Sequence, residues 1–234
     1  MHRYPDQSTE VALRYLPVVR ALRESGAGKV LEVGSGDLGL TPYSLDFDLT
    51  GVDRAFEQDN PDMDQVEGSA TRLPYDERDF DAVVSVDSLE HIPPDKRDIA
   101  VTEIVRTAYR RAVIAVPAGT AAEAQDQHLA ERYRRVRGEE YPFFKDHLEN
   151  GLPQRDELEL LITRALKRTG RKGSFSIRKN TNIWLRSFLM KGWISRNCFY
   201  YNLTVLGLMP LAGLLSYLNV GPCYRLIAIV DLSD

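Results

Sequence analysis

The sequence predicts an α/β protein: a Rossmann-like, doubly wound, mostly parallel sheet of about seven strands, with a helical apolar insertion before the last strand. Three observations carry this. Short apolar runs at Lys29–Val33, Phe47–Val52, Val83–Val86 and Ala112–Val116 have the length and composition of buried parallel strands. The first run ends in Gly34-Ser35-Gly36, a turn whose missing side chains permit positive φ and let a ligand approach the backbone. The third observation is a stretch without any charged residue, Asn197 to Tyr224, lying between the last two predicted strands.

At 234 residues the chain suffices for one domain with a sizeable core and an embellishment, and hardly for two. Hydrophobic content of 43% and charged content of 27% are those of an ordinary globular protein. The net charge of −4 argues against nucleic acid as an obligatory partner, but the charge is unevenly spread. Residues 1–120 carry 13 Lys/Arg against 22 Asp/Glu, and residues 121–234 carry 17 against 12. The basic clusters Arg132–Arg137 and Arg164–Lys179 suit either an anionic substrate or surface or a solvated helix face. Two cysteines, Cys198 and Cys223, make no disulfide framework, and no Cys/His spacing predicts a metal site. The first residues lack the apolar run of a signal peptide, so a cytoplasmic location is expected.

One domain over 1–234 is expected in five parts. Residues 8–27 form an N-terminal helix that Ser8 or Thr9 caps and Gly26 and Gly28 stop, with Val11, Tyr15, Val18, Val19 and Leu22 at helical spacing. Residues 28–117 form a cofactor-binding core. After Gly39 no long helix is predicted, only a turn at Thr41–Leu45, and Asp53 then closes the second strand. There its carboxylate can accept hydrogen bonds from both hydroxyls of a ribose. A loop covers Asp59–Asp64, and a helix is expected from Lys96 to Arg110. Residues 118–183 form a second half with a basic helix, Ala121–Arg137, and a turn-rich segment, His147–Pro153. A further helix, Asp156–Lys167, and a strand, Ser174–Ile177, complete that half. Residues 184–223 are the apolar aromatic insertion, and 224–234 the last strand.

Glu32 interrupts the first apolar run two residues before Gly34, which suits a cationic or hydroxyl-bearing ligand better than a bare phosphate. Gly34-x-Gly36-x-x-Gly39 with Asp53 about 20 residues on satisfies the dinucleotide fingerprint too. Further motifs separate the two readings. Glu32-Val33-Gly34-Ser35-Gly36, then Leu73-Pro74-Tyr75, Phe80-Asp81-Ala82-Val83 and Leu89-Glu90-His91-Ile92 follow in the order of the class I S-adenosylmethionine-dependent methyltransferase family, which residues 28–117 resemble.

The resemblance implies S-adenosylmethionine as cofactor, held by Glu32, Gly34, Ser35, Gly36, Asp53, Arg54, Ser69, Ala70, Asp87 and Ser88. Asp53 would bind the ribose and the Arg54 stem would cover the adenine. Asp87 and Ser88 would lie near the methionine end. Ser69 stands where the family usually has an adenine-contacting Asp, and its hydroxyl can still donate and accept. The resemblance puts His91 at the edge facing the acceptor, and a His-Leu pair common in relatives puts His147 near the acceptor pocket. An oxygen acceptor must lose a proton, so His91 and His147 are the expected catalytic residues, with Glu90 orienting the turn.

The expected reaction is methyl transfer, to an oxygen of a small molecule, glycan or lipid-linked intermediate. An NAD-dependent oxidoreductase on the same glycine turn, or an inactive binding protein of this fold, are the alternatives. For the insertion, residues 197–222, the sequence leaves three roles open: a lid, a homodimer contact, or a peripheral contact with the inner face of the membrane. Leu203–Leu218 is shorter than a spanning helix, and Gly207, Pro210 and Gly213 interrupt it. Trp184, Trp193, Phe199, Tyr200 and Tyr201 with Lys191 and Arg196 suit a membrane interface.

Overall fold

The computed structural model describes residues 8–233. Seven strands form one sheet in the order β3-β2-β1-β4-β5-β7-β6. They are β1 (Lys29–Val33), β2 (Asp48–Asp53), β3 (Asp64–Glu67), β4 (Phe80–Val86), β5 (Ala108–Pro117), β6 (Lys172–Asn182) and β7 (Cys223–Ser233). The first five run parallel, and β7 is antiparallel to both its neighbours. Chain order reverses between β1 and β4, so the carboxyl ends of β1, β2 and β4 face one crevice, where ligands bind in such sheets.

Alternate strand residues feed two cores. Leu31, Val33, Val83, Ile114 and Val116 pack against α2 (Pro94–Thr107) and α5 (Arg155–Thr169). Val30, Val84, Val86, Val113 and Ala115 pack against α1 (Thr9–Ser25) on the other face. Ser8 caps α1 by accepting from the Val11 amide, and Gly26 ends it at φ 65°. Between β1 and β2 the chain makes only turns, as the sequence predicts.

Three boundaries differ from expectation. The helix expected to reach Arg110 stops at Thr107, because Ala108–Arg111 pair with β4 at the start of β5. The expected loop ends sooner: Asp64 already pairs with Thr50, and β3 adds itself to the exposed edge of β2. His147 lies in no turn but in α4 (Pro142–Asn150), a helix begun by Pro142 at its first position and closed by Gly151 at φ 67°.

Between β5 and β6 the chain builds α3 (Thr120–Arg137), α4 and α5. The insertion between β6 and β7 begins with α6 (Ile183–Ile194), whose first turn Asn182 caps by accepting from the Trp184 and Leu185 amides. The chain then runs through α7 (Cys198–Asn202), a π turn (Leu203–Gly207), a 3-10 turn (Met209–Leu211) and α8 (Ala212–Leu215). Cys198–Leu215 is long and apolar enough to cross a membrane by length and composition alone, with mean hydropathy 1.5. The turns around Gly207 and Pro210 divide it.

Candidate active site

The glycine turn sits at the carboxyl end of β1. Gly34, at φ 78°, donates its amide to the Val52 carbonyl at 2.8 Å, and a Cβ there would overlap the Ser88 side chain. Gly36, at φ 57°, faces open space. One Asp53 oxygen accepts from the Gly36 amide at 2.7 Å and the other from the Arg54 amide at 2.6 Å. Asp53 therefore fixes the turn while its remaining lone pairs stay available to a diol. Arg54 and Ser69 are exposed and Ala70 is half-buried. Ser69 accepts from the Thr71 amide at 3.3 Å, in a turn beside the crevice. Ser35 is buried and donates to the Gly36 carbonyl. An open-faced glycine beside a strand-end carboxylate fits a nucleoside-bearing cofactor.

Two of the expected cofactor residues are also held by the protein itself. Glu32 has no exposed surface and accepts the Leu40 amide at 2.7 Å, bracing the Gly34–Leu40 loop from beneath. Burial pushes its carboxyl up to about 8, against the Leu40 hydrogen bond and with the help of the Asp53 charge. Asp87, at φ 47°, gives both carboxylate oxygens to Arg225, and the Arg14 Nε lies 3.2 Å away. Burial acts to raise its pKa, but Arg14 and Arg225 outweigh it and hold the carboxyl below its ordinary value. Glu32 braces the loop from within, whereas Asp87 is half-buried, ties β7 to the end of β4 and also lines the cavity described below.

The cluster beyond β4 is denser than expected. A 3-10 turn, Leu89–His91, carries Glu90 and His91 toward α4. His91 Nδ1 lies 3.2 Å from Asp146 Oδ2, and its ring centroid is 5.1 Å from that of His147. Burial, then the neighbouring His147, lower the His91 pKa against the pull of Asp146. His147 is buried, with Nδ1 2.8 Å from Asp126 Oδ2 and Nε2 3.7 Å from Glu90 Oε1. Glu90 has no exposed surface, and neither carboxylate oxygen has a hydrogen-bond partner among the described residues. Burial and the Asp87 charge drive its pKa well above the ordinary value.

Behind this cluster lies an ion network that the sequence analysis missed. Glu10 pairs with Arg14, and with Arg225 and Arg186 at 3.4 and 3.7 Å. Although its burial opposes ionisation, the three guanidiniums bring its pKa down to about 2. Asp126 accepts from His147, from the Tyr224 hydroxyl at 2.8 Å and from Arg186 at 3.1 Å. The available signal was Arg225, the one charge in the apolar run Tyr224–Val230.

Two cavities meet here. One of about 320 Å³ lies beside the glycine turn, against Ser35, Gly39 and Tyr43. The other, about 430 Å³, has Glu90, His91 and His147 at one end and Tyr141, Phe143, Met190, Trp193 and Val205 along its wall. Val11 and Arg14 of α1 line both, so the cofactor side and the aromatic side adjoin.

A sheet of this order, with a glycine turn and an acid at the ends of β1 and β2, defines the Rossmann-like methyltransferase fold. Solved structures agree. YcgJ protein from Bacillus subtilis superposes with TM-score 0.56 at 13% identity, over 96% of this chain and 98% of its own. The plantazolicin methyltransferase BpumL, in complex with a triazolic desmethylPZN analog and SAH, gives 0.59 at 13%, over 99% and 87%. A chain from the complex between the Haloferax volcanii Trm112 methyltransferase activator and a methyltransferase gives 0.54 at 13%, over 93% and 89%. No curated protein matches the sequence. Residues 25–116 match the family model described as a methyltransferase domain. The core of the chain thus matches a methyltransferase domain, set in the fold that the solved methyltransferases share. That match favours the methyltransferase reading of the glycine turn over the dinucleotide one.

Proposed function

We propose that the enzyme methylates an oxygen of an amphipathic acceptor, a small molecule or lipid-linked intermediate that also bears glycan or phenol hydroxyls. The cavity of about 430 Å³ carries this reading, because it joins a polar cluster at one end to an aromatic and aliphatic wall contributed largely by α4 and the insertion. Such a lining suits a substrate with a hydroxyl head and an apolar body.

In this reading Asp53 holds the ribose, Arg54, Ser69 and Ala70 flank the adenine, and Gly34, Ser35 and Gly36 admit the backbone-hugging part of the cofactor. Ser88 supports Gly34 from below, as Glu32 supports Leu40 and Asp87 the ends of β4 and β7. Bound S-adenosylmethionine supplies an electrophilic methyl group on a sulfonium, whose departure needs no protonation. The protein's work is to align the acceptor and to manage its proton. His91 and His147 face the cavity, each tied at Nδ1 to a carboxylate, so that each Nε2 is the nitrogen left to meet the acceptor end.

The apolar surface of the insertion extends this reading to location. Phe199, Leu214 and Val220 are 78%, 72% and 81% exposed, and Trp184 lies beside Gly221. An uncharged surface of this kind next to the acceptor cavity favours peripheral attachment to the inner face of a membrane.

Calorimetric titration with S-adenosylmethionine, S-adenosylhomocysteine and NAD, with Asp53→Ala as control, tests the cofactor side. The first two ligands bind and lose binding in the variant, and NAD does not bind. Transfer of labelled methyl into the organic-extractable fraction of a lipid and phenol panel tests the acceptor side. Label confined to water-soluble products would overturn the amphipathic assignment.

A further inference from the structure

We infer that Glu90, His91 and His147 form a binding site for a first-row divalent transition-metal ion at the acceptor end of the cavity. One ligand atom from each lies within 4.8 Å of the others. A bound ion with metal–nitrogen distances near 2.0–2.1 Å holds ligand atoms roughly 3.3–3.5 Å apart, so side-chain rotations of about an ångström close the site.

Three independent features point to a cation here. The first is the charge balance of the buried network. Among the described residues, Glu10, Asp87 and Asp126 each pair with Arg14, Arg186 or Arg225. Glu90 pairs with no guanidinium among the described residues. It has only the His147 ring, at 3.7 Å. A buried carboxyl needs a proton, a cationic partner or a metal, and this one has no closer cation than that ring among the described residues.

The second is the orphaned geometry. Both Glu90 oxygens lack hydrogen bonds, so protonation would not satisfy the group: the resulting hydroxyl would itself need an acceptor. A metal ion satisfies the carboxylate directly.

The third is the pair of carboxylates behind the imidazoles. Asp126 takes the His147 Nδ1–H and Asp146 takes the His91 Nδ1–H, fixing the tautomers that leave Nε2 as a lone-pair donor. This carboxylate–histidine arrangement is how metal-binding imidazoles are oriented. Two neutral nitrogens with one carboxylate favour Zn²⁺, Mn²⁺ or Fe²⁺ over Mg²⁺, which prefers oxygen ligands. All three residues line the cavity.

The inference rests on the methyl-transfer reading and deepens it by naming how the histidines act. Held by Glu90, His91 and His147, such an ion would make a coordinated acceptor hydroxyl more acidic and so ease the loss of its proton to solvent. The imidazoles then serve as ligands.

The test needs neither acceptor nor S-adenosylmethionine. Chelator-stripped full chain is titrated with Zn²⁺ and, separately, with Co²⁺ while its visible absorption is followed, with Mg²⁺ as comparison. One equivalent of Zn²⁺ or Co²⁺ binds saturably. Binding is lost in Glu90→Gln and His91→Asn and kept in His128→Gln, which removes an exposed histidine outside the cluster. Asp126→Asn weakens affinity about 10- to 100-fold, as removal of a supporting carboxylate does. His91, with a quarter of its side chain exposed, carries the test if Glu90→Gln does not fold. No saturable binding, or binding indifferent to both Glu90→Gln and His91→Asn, overturns the site. Normal S-adenosylmethionine binding alongside either result would leave the methyltransferase reading intact.

Discussion

Glu32 lies on the α1-facing side of β1, and burial pushes its carboxyl up to about 8 from an ordinary 4.5. Between those values the folded chain keeps a proton that the unfolded chain has released. Stability therefore falls as pH rises through this window and levels off above it. Glu32→Gln keeps an acceptor for the Leu40 amide and removes the titration. Urea unfolding of both proteins from about pH 5 to 9 should show the wild type losing ground to the variant up to about pH 8. A pH-independent difference would mean that Glu32 is ionised in the fold. The same residue teaches a limit of sequence reading. Its position two residues before Gly34 is plain in the chain, but whether it points at ligand or at loop depends on Tyr15, Leu40 and Gly39 closing around it.

At the scale of elements, the central strands and α1 were legible because their signals are local: apolar runs, glycine stops and the Ser8 cap; the edge strand β3 was missed and only the middle of β6 was read, because both are largely polar and exposed. Helix α4 was not, since Pro142 and the short span Pro142–Asn150 look like a turn until Phe144 packs with Leu129 and Ile194. The insertion was visible by composition but not by shape. Its uncharged run bends at Gly207 and Pro210, placing Val205 in the acceptor cavity while Phe199 and Leu214 face outward. If those side chains contact lipid, the full chain cosediments with vesicles containing anionic lipid. Phe199→Glu and Leu214→Glu lower the bound fraction without altering S-adenosylmethionine binding, since neither touches the glycine turn. Failure of the wild type to bind vesicles would assign the patch to something other than a membrane.

Across the whole molecule, the buried network ties α1, β4, α3, α6 and β7 into one body. Arg225, fully buried on β7, meets Asp87 at the end of β4 and Glu10 on α1. Truncating it leaves two carboxylates short of a partner, so Arg225→Ala should cost about 3–5 kcal/mol in equilibrium unfolding. A loss under about 1 kcal/mol would show that Arg14 and Arg186 compensate. The fold class and the glycine turn were determined by the sequence itself, because apolar runs are local and the turn needs φ angles that glycine tolerates well, and Asp53 was placed by its spacing of about 20 residues from Gly34. The meeting of Glu90 and His91 with His147, and of His91 with Asp146 and His147 with Asp126, was decided only by tertiary structure. His91 and His147 are separated by the whole of β5 and α3, and no spacing rule spans that distance. What brings them together is the packing of α4 against the 3-10 turn over the sheet, a consequence of burying Phe144 and Leu129, not of any pattern among the histidines themselves.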